Sequence, residues 1–193
     1  MDMMEIRHRI LLNPQKGGGL PAEYQEVEAV ISSGGAYFDL PKISFNTGDT
    51  IKKDVKFQYL GTKTSNFWLA GDGRSRGGVQ YELGYYNRLW WGEQYEAVYA
   101  TTGTPPNEIV EGTWEHVYTS GSDITYRMFQ RYGGWAAETD DRKFFYFTLS
   151  LNGTVRHDLV PCYRKADNVV GMYDTVTNTF FINKGSGAFS IPA

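Results

Sequence analysis

Residues 144–161 read FFYFTLSLNGTVRHDLVP, two runs of alternating apolar residues separated by Asn152 and Gly153. Alternation with a period of two is typical of β-strands that bury one face. Asn-Gly accepts the two positive φ angles of a type I′ turn, so the stretch predicts a β-hairpin. The apolar residues predicted to share one face before the turn are Phe145, Phe147, Leu149 and Leu151.

The same period of two extends outward over most of the chain from Glu23 onward, and no long helix is predicted after residue 25. Many short strands separated by turn residues favour a sandwich of two antiparallel sheets, with a closed barrel as the alternative. The predicted strands beyond the hairpin cover residues 26–31, 37–40, 51–60, 66–70, 79–86, 96–101, 113–119, 124–129, 169–173 and 179–182.

The N-terminal region, residues 1–21, differs from the rest and predicts a short arm. Gly17, Gly18 and Gly19 form a hinge between this arm and a single domain over residues 22–193. The apolar run Ile10–Leu12 is too short for a signal peptide or a transmembrane span, so no membrane insertion is expected. An ordinary frayed terminus is the alternative to an anchoring arm.

The net charge limits which partners are expected, and the cysteine content limits which redox conditions the fold requires. The 22 acidic and 19 basic side chains give a net charge of −3, which does not favour nucleic acid as a partner. The single cysteine, Cys162, cannot form an intrachain disulfide, so we expect a small buried side chain in a fold that is stable when reduced.

The C-terminal third resembles the concanavalin A-like lectin/glucanase domains of the laminin-G-like type. Such domains are common in phage tail and other phage structural proteins and in gut-bacterial surface proteins. The resemblance is carried by 152–161 (NGTVRHDLVP), 171–174 (GMYD), 180–181 (FF) and 185–189 (GSGAF), with an opening match at 24–28 (YQEVE).

This resemblance implies a jelly-roll form of the two-sheet sandwich, with the first and last strands close together. It also implies a phage-type virion or tail protein, assembled in the host cytoplasm, whose arm contacts other virion proteins. The fold hosts lectins, hydrolases and spacer modules alike, so function has to be argued from a site. A homo-oligomer is compatible with such a role.

Catalytic patterns are weak in this sequence. Glycoside hydrolases of this fold resemble one another in a Glu-x-Asp-x-x-Glu strand motif; the nearest match begins at Glu138 and has Lys143 where the proton donor belongs. The three histidines, His8, His116 and His157, stand in no triad pattern, and we expect His157 to be structural. The sequence therefore predicts a protein that is not an enzyme.

Metal sites are also weakly indicated. One cysteine and three dispersed histidines offer no paired zinc ligands, so we expect no cofactor. Calcium is the alternative, since loop carboxylates bind it in many domains of this fold, but ordinary solvated turn acids are the expected reading. The loop carboxylates in question are Asp72, Asp123, Asp140 and Asp141.

Aromatic residues give the strongest functional pattern. Sugars present apolar C–H faces and hydroxyls, so aromatic rings rimmed by amide and guanidinium groups are suited to bind them. The competing interpretation is that these rings fill the core. The candidate ligand-binding residues are Tyr85, Tyr86, Asn87, Arg88, Trp90, Trp91 and Trp135.

Three functions remain open at this point. The first is recognition of a glycan or cell-surface polysaccharide of the host. The second is a structural decoration or adaptor protein that makes only protein–protein contacts. The third is a polysaccharide hydrolase.

Overall fold

The computed structural model describes residues 19–61, 67–71, 79–82, 88–90, 98–99, 107–130 and 141–193. These residues form seventeen β-strands and no helix. The strands are β1 (Tyr24–Glu26), β2 (Val30–Ser33), β3 (Phe38–Asp39), β4 (Ile43–Phe45), β5 (Thr50–Tyr59), β6 (Phe67–Gly71), β7 (Val79–Glu82), β8 (Arg88–Trp90), β9 (Val98–Tyr99), β10 (Ile109–Val117), β11 (Ser122–Ile124), β12 (Arg127–Met128), β13 (Arg142–Leu151), β14 (Thr154–Arg164), β15 (Val169–Asp174), β16 (Thr179–Ile182) and β17 (Ala188–Ser190).

The strands form three sheets. The largest has nine strands, in the order β10-β5-β13-β14-β15-β16, with β1 paired to β14, β2 to β13 and β17 to β2. A second sheet has the order β3-β12-β6-β7-β8-β9, and β4 with β11 forms the third. Every pairing among the described strands is antiparallel, which confirms the all-β prediction.

The sheets share one hydrophobic core. Phe38 of β3 stacks on Phe181 of β16 with ring centroids 5.0 Å apart. Phe129, next to β12, packs edge-on against Phe144 of β13 at 4.5 Å. Strand β5 alternates buried and half-buried residues along its whole length, as a strand between core and solvent should. Lys53 takes one of its buried positions, with its ammonium 4.3 Å from the centre of the Tyr126 ring.

The hairpin predicted at Asn152-Gly153 is confirmed. Both residues have positive φ, 49° and 74°, and Leu151 pairs with Thr154 across the turn. The Asn152 side chain also accepts a hydrogen bond from the Thr50 N–H at 2.8 Å and donates one to Asp49 at 2.7 Å. The turn is therefore tied to the start of β5 as well as closing its own hairpin.

One part of the hairpin prediction is wrong, because β13 contains a β-bulge. Phe144 pairs with Phe57 and Tyr146 with Lys56, so Phe145 is the extra residue. Phe144 and Phe147 belong to the core, whereas Phe145 lies outside it beneath two lysine ammonium groups. Phe145 is consequently on the opposite face from Phe147, Leu149 and Leu151.

Strand β14 is longer than predicted and contains Pro161, which lacks a backbone donor. Its pairing with β13 reaches Leu159, and its pairing with β1 begins at Cys162. Pro161 therefore lies where β14 changes partners on that edge, while its carbonyl accepts a hydrogen bond from the Val27 N–H at 3.0 Å. This position tolerates the missing N–H.

Two other predicted strands are interrupted. The stretch 124–129 is split, since β11 ends at Ile124 and β12 contains only Arg127 and Met128. The alternation predicted over residues 26–31 breaks where Ala29 and Val30 are both buried. Here the chain leaves β1, which pairs with β14, and enters β2, which pairs with β13, so the period of two does not continue across the change.

The two ends of the described body meet, as the resemblance implies. Strand β17 pairs with β2, and Asn183 donates to the carbonyls of Gly185 and Gly187 at 3.3 and 2.6 Å. A side chain at Gly187 would overlap the backbone of Ser33 and Gly34. Glycine is required here because the C-terminal segment passes directly over the turn after β2.

We expect Gly187→Ala to lower the free energy of unfolding by about 2 kcal/mol, because the added methyl forces β17 away from β2. Urea unfolding followed by tryptophan fluorescence measures the change. Gly19→Ala is the control, since a methyl at Gly19 meets no atom within 4 Å. Equal stability of the two variants would contradict the close packing of β17 on β2.

Candidate functional site

The structure describes only part of the aromatic site predicted from sequence. Arg88 and Trp90 lie on β8, where their backbones pair with Glu82 and Gln80. Tyr85, Tyr86, Asn87, Trp91 and Trp135 lie outside the described residues. Ligand binding by this set stays a prediction.

The calcium candidates divide in a similar way. Asp123 accepts hydrogen bonds from Lys42 and from the Ser44 hydroxyl, and the Lys42 bond is the main reason that its pKa lies below the ordinary value. Asp141 is exposed, and Asp72 and Asp140 lie outside the described residues. In the part of the chain that the structure describes, no group of three or more His, Cys, Asp or Glu could hold a metal ion.

His157 has a structural partner. Its Nδ1 lies 2.6 Å from Asp174 Oδ2, and the side chains are 3% and 0% exposed. Asp174 also accepts bonds from the Asp158 and Val176 N–H groups and from the Thr177 hydroxyl. Burial raises the pKa of Asp174, but these hydrogen bonds outweigh it and hold the pKa below its ordinary value.

Cys162 does not have the environment of a reactive thiol. Its side chain is fully buried, as the sequence predicts. Burial is the main cause that raises the pKa of the thiol to about 12, so the thiolate is not populated at neutral pH. Glu138, the remaining catalytic candidate, lies outside the described residues.

The described residues contain an aromatic cluster that sequence reasoning did not select as a site. We call it the aromatic platform, and it consists of Tyr24, Tyr173 and Phe180. The Tyr24 ring lies 4.9 Å from each of the other two rings, tilted by 47° in both cases. Tyr24 and Phe180 are half-buried, whereas Tyr173 is 5% exposed and forms the base of the platform.

The platform lies on the outer face of the largest sheet. Tyr173 pairs with Phe180, while their neighbours Met172 and Phe181 pair with each other and enter the core. Alternate residues of a strand point to opposite faces, so Tyr173 and Phe180 face away from the core. Strands β15 and β16 are thus apolar on both faces, which is unusual for the outer layer of an antiparallel sheet.

Gly171 makes room for the platform. It precedes Met172 on β15, and a methyl group at this position would lie 2.9 Å from Cε2 of Phe180 and would also overlap the Phe181 carbonyl. Because Gly171 has no side chain, the Phe180 ring can pack over β15 and contact the Tyr24 ring. The glycine therefore allows the Phe180 ring to approach Tyr24.

Polar groups surround the platform. Arg164 extends its guanidinium to 5.7 Å from the centre of the Phe180 ring, and its Nη2 lies 2.6 Å from Asp167 Oδ2. The hydrogen bond from Arg164 keeps the pKa of Asp167 below its ordinary value. On another side the Tyr173 hydroxyl lies 3.5 Å from Asn178 Oδ1. Burial raises the pKa of the Tyr173 phenol, so this group stays protonated.

The Asp174 network fixes the turn between β15 and β16, and it generates a prediction on stability. Asp174→Asn should lower the free energy of unfolding at neutral pH by about 3 kcal/mol, because the amide cannot accept all four hydrogen bonds. Since the folded-state pKa lies below the unfolded value of about 3.9, this contribution is present above that value. It disappears as the pH falls through the folded-state pKa.

Urea titrations at neutral and at strongly acidic pH measure the effect, and the gap between wild type and variant should narrow in acid. The control is Asp167→Asn, which removes an exposed ion pair and should change stability little at either pH. A gap for Asp174→Asn that is unchanged in acid would contradict the assigned charge state.

Comparison with known proteins assigns no family to this fold. No protein-family model, no curated protein and no solved structure matches the chain. Within the residues that the structure describes, no helix has the length and apolar character needed to cross a membrane. Inference about function therefore rests on the geometry of the aromatic platform and its polar rim.

Proposed function

We propose that this chain is a non-catalytic carbohydrate-binding module and that the aromatic platform is its ligand-binding surface. Tyr24 and Phe180, which lie on the outer face of the sheet over buried Tyr173, offer an apolar surface for the C–H faces of sugars. Arg164, Asp167 and Asn178 offer donors and acceptors for hydroxyl groups at its border. The observation that carries the proposal is the position of two half-buried aromatic rings, Tyr24 and Phe180, on a sheet face that antiparallel sheets normally fill with polar residues.

The non-catalytic part of the proposal is supported by the environments of His157 and Cys162. The Nδ1 atom of His157 contacts the buried carboxylate of Asp174, and the Cys162 thiol is buried and protonated. Neither side chain is available to attack a substrate at the platform. The aromatic residues around Arg88 and Trp90 remain a second candidate binding region under the same proposal.

The specific fold type and the biological context are proposed from the resemblance to concanavalin A-like domains. We infer a jelly-roll sandwich of the concanavalin A-like type in a phage virion or tail, where it recognises glycans on the host surface. In support, the residues that carry the resemblance have structural roles: Asn152 and Gly153 form the hairpin turn, and Asp174 anchors the turn after β15. Gly187 closes the C-terminal segment over β2.

Phe180→Ala should lower the affinity for a bound polysaccharide at least tenfold, or about 1.4 kcal/mol, because one face of the stacking surface is lost. A glycan array with host cell-wall polysaccharides identifies the ligand, and calorimetry measures the affinity. Tyr163→Ala is the matched control, since Tyr163 is half-buried on β14 and lies on the opposite face of the sheet. Absence of binding to every glycan by the folded wild type would remove the proposed function.

A second function, that of a structural decoration or adaptor protein, is favoured by Ile182. This side chain is 42% exposed at the end of β16, on the same face as Phe180. An exposed apolar side chain next to an aromatic patch is typical of a protein interaction surface. On this reading Ile182→Lys should break a defined oligomer into monomers in analytical ultracentrifugation, whereas a glycan-binding surface predicts an unchanged oligomeric state.

A further inference from the structure

The bulge in β13 has a consequence for the outer face of the largest sheet. It turns two successive aromatic residues, Phe145 and Tyr146, away from the core. The ammonium groups of Lys143 and Lys56 lie 4.8 and 5.2 Å from the centre of the Phe145 ring. Tyr146 is half-buried and donates its hydroxyl hydrogen to Glu111 at 2.7 Å. This is a second aromatic group on the face that carries the platform.

The two aromatic groups lie on the same face of the sheet, with β14 and β15 between them. Tyr173 is paired with Val160 on one side and with Phe180 on the other. Tyr146 and Val160 are the residues next to the pair Phe147–Leu159, where β13 and β14 begin to separate. From β13 to β16 there are three strand spacings, so Tyr146 and Phe180 are separated by about 14 Å or more.

The charged side chains near the two aromatic groups are locally balanced. Lys143 lies 3.4 Å from Glu28, and Arg164 is bonded to Asp167. A surface whose cations already have anionic neighbours has no field that attracts a polyanion. The arrangement favours an uncharged ligand that is held by ring contacts and hydrogen bonds.

We propose that the outer face binds an extended, uncharged polysaccharide that runs across β13, β14, β15 and β16 and contacts Tyr146 and the aromatic platform together. This inference rests on the proposed function and adds the ligand class and a second contact region. A chain is favoured over a single sugar because two aromatic groups so far apart cannot contact the same monosaccharide.

The experiment compares fragment lengths of uncharged dextran, xylan, mannan and β-glucan in calorimetry, using the full chain. We expect octasaccharides to bind more tightly than disaccharides. Tyr146→Ala should lower the affinity for octasaccharides about tenfold and leave disaccharide binding at the platform unchanged, whereas Phe180→Ala should weaken both. Tyr146→Phe keeps the ring and loses only the bond to Glu111, so it should retain the wild-type affinity.

Three outcomes would overturn the inference while the platform itself stands. They are equal affinity for disaccharides and octasaccharides, an octasaccharide affinity that Tyr146→Ala leaves unchanged, and tighter binding of carboxymethyl-dextran than of dextran. Failure of all these uncharged fragments to bind would also overturn this inference, and the proposed function would be removed only if the glycan array shows no binding as well. Circular dichroism spectra of each variant separate a lost contact from a lost fold.

Discussion

The largest sheet depends on the pairing of β13, which bonds to β5 along one edge and to β2 and β14 along the other. β14 follows β13 only as far as Leu159 and then diverges, and β1 and β2 occupy the space that opens. This divergence brings Tyr24 beside Arg164, from where its ring reaches Tyr173 and Phe180. The aromatic platform therefore exists because two strands of one hairpin separate partway along their length.

Local sequence information was sufficient for the all-β class and for the central hairpin. Period-two alternation and turn chemistry act over a few residues, so β5, β15 and β16 could be predicted together with the Asn152-Gly153 turn. Burial of Cys162 was predicted from its small apolar side chain at an apolar strand end, and His157 was predicted to be structural from its place in the strand. The position of the β-bulge and the formation of the aromatic platform depend on pairing between distant strands, which local sequence does not reveal.

The bulge in β13 shows why alternation alone is not enough. Residues 144–147 are four successive aromatic residues, so any of them could point into the core or away from it. Only pairing with Phe57 and Lys56 of β5 determines which of them is the extra residue of the bulge. The platform was missed for a related reason, because Tyr24 and Phe180 meet only through the separation of β13 and β14. A signal was present in adjacent apolar residues such as Met172 and Tyr173, which indicate that both faces of β15 carry apolar side chains.

The strand pairings that create the aromatic platform also hold its rings in place, which the proposed binding function requires. Its rings come from strands β1, β15 and β16, whose backbones are fixed by the sheet, and the turn between the last two is held by buried Asp174. Side chains that are already ordered lose little conformational entropy when a ligand arrives. Two half-buried rings offer few contacts to a sugar, so the proposed binding by Tyr24 and Phe180 depends on this rigidity.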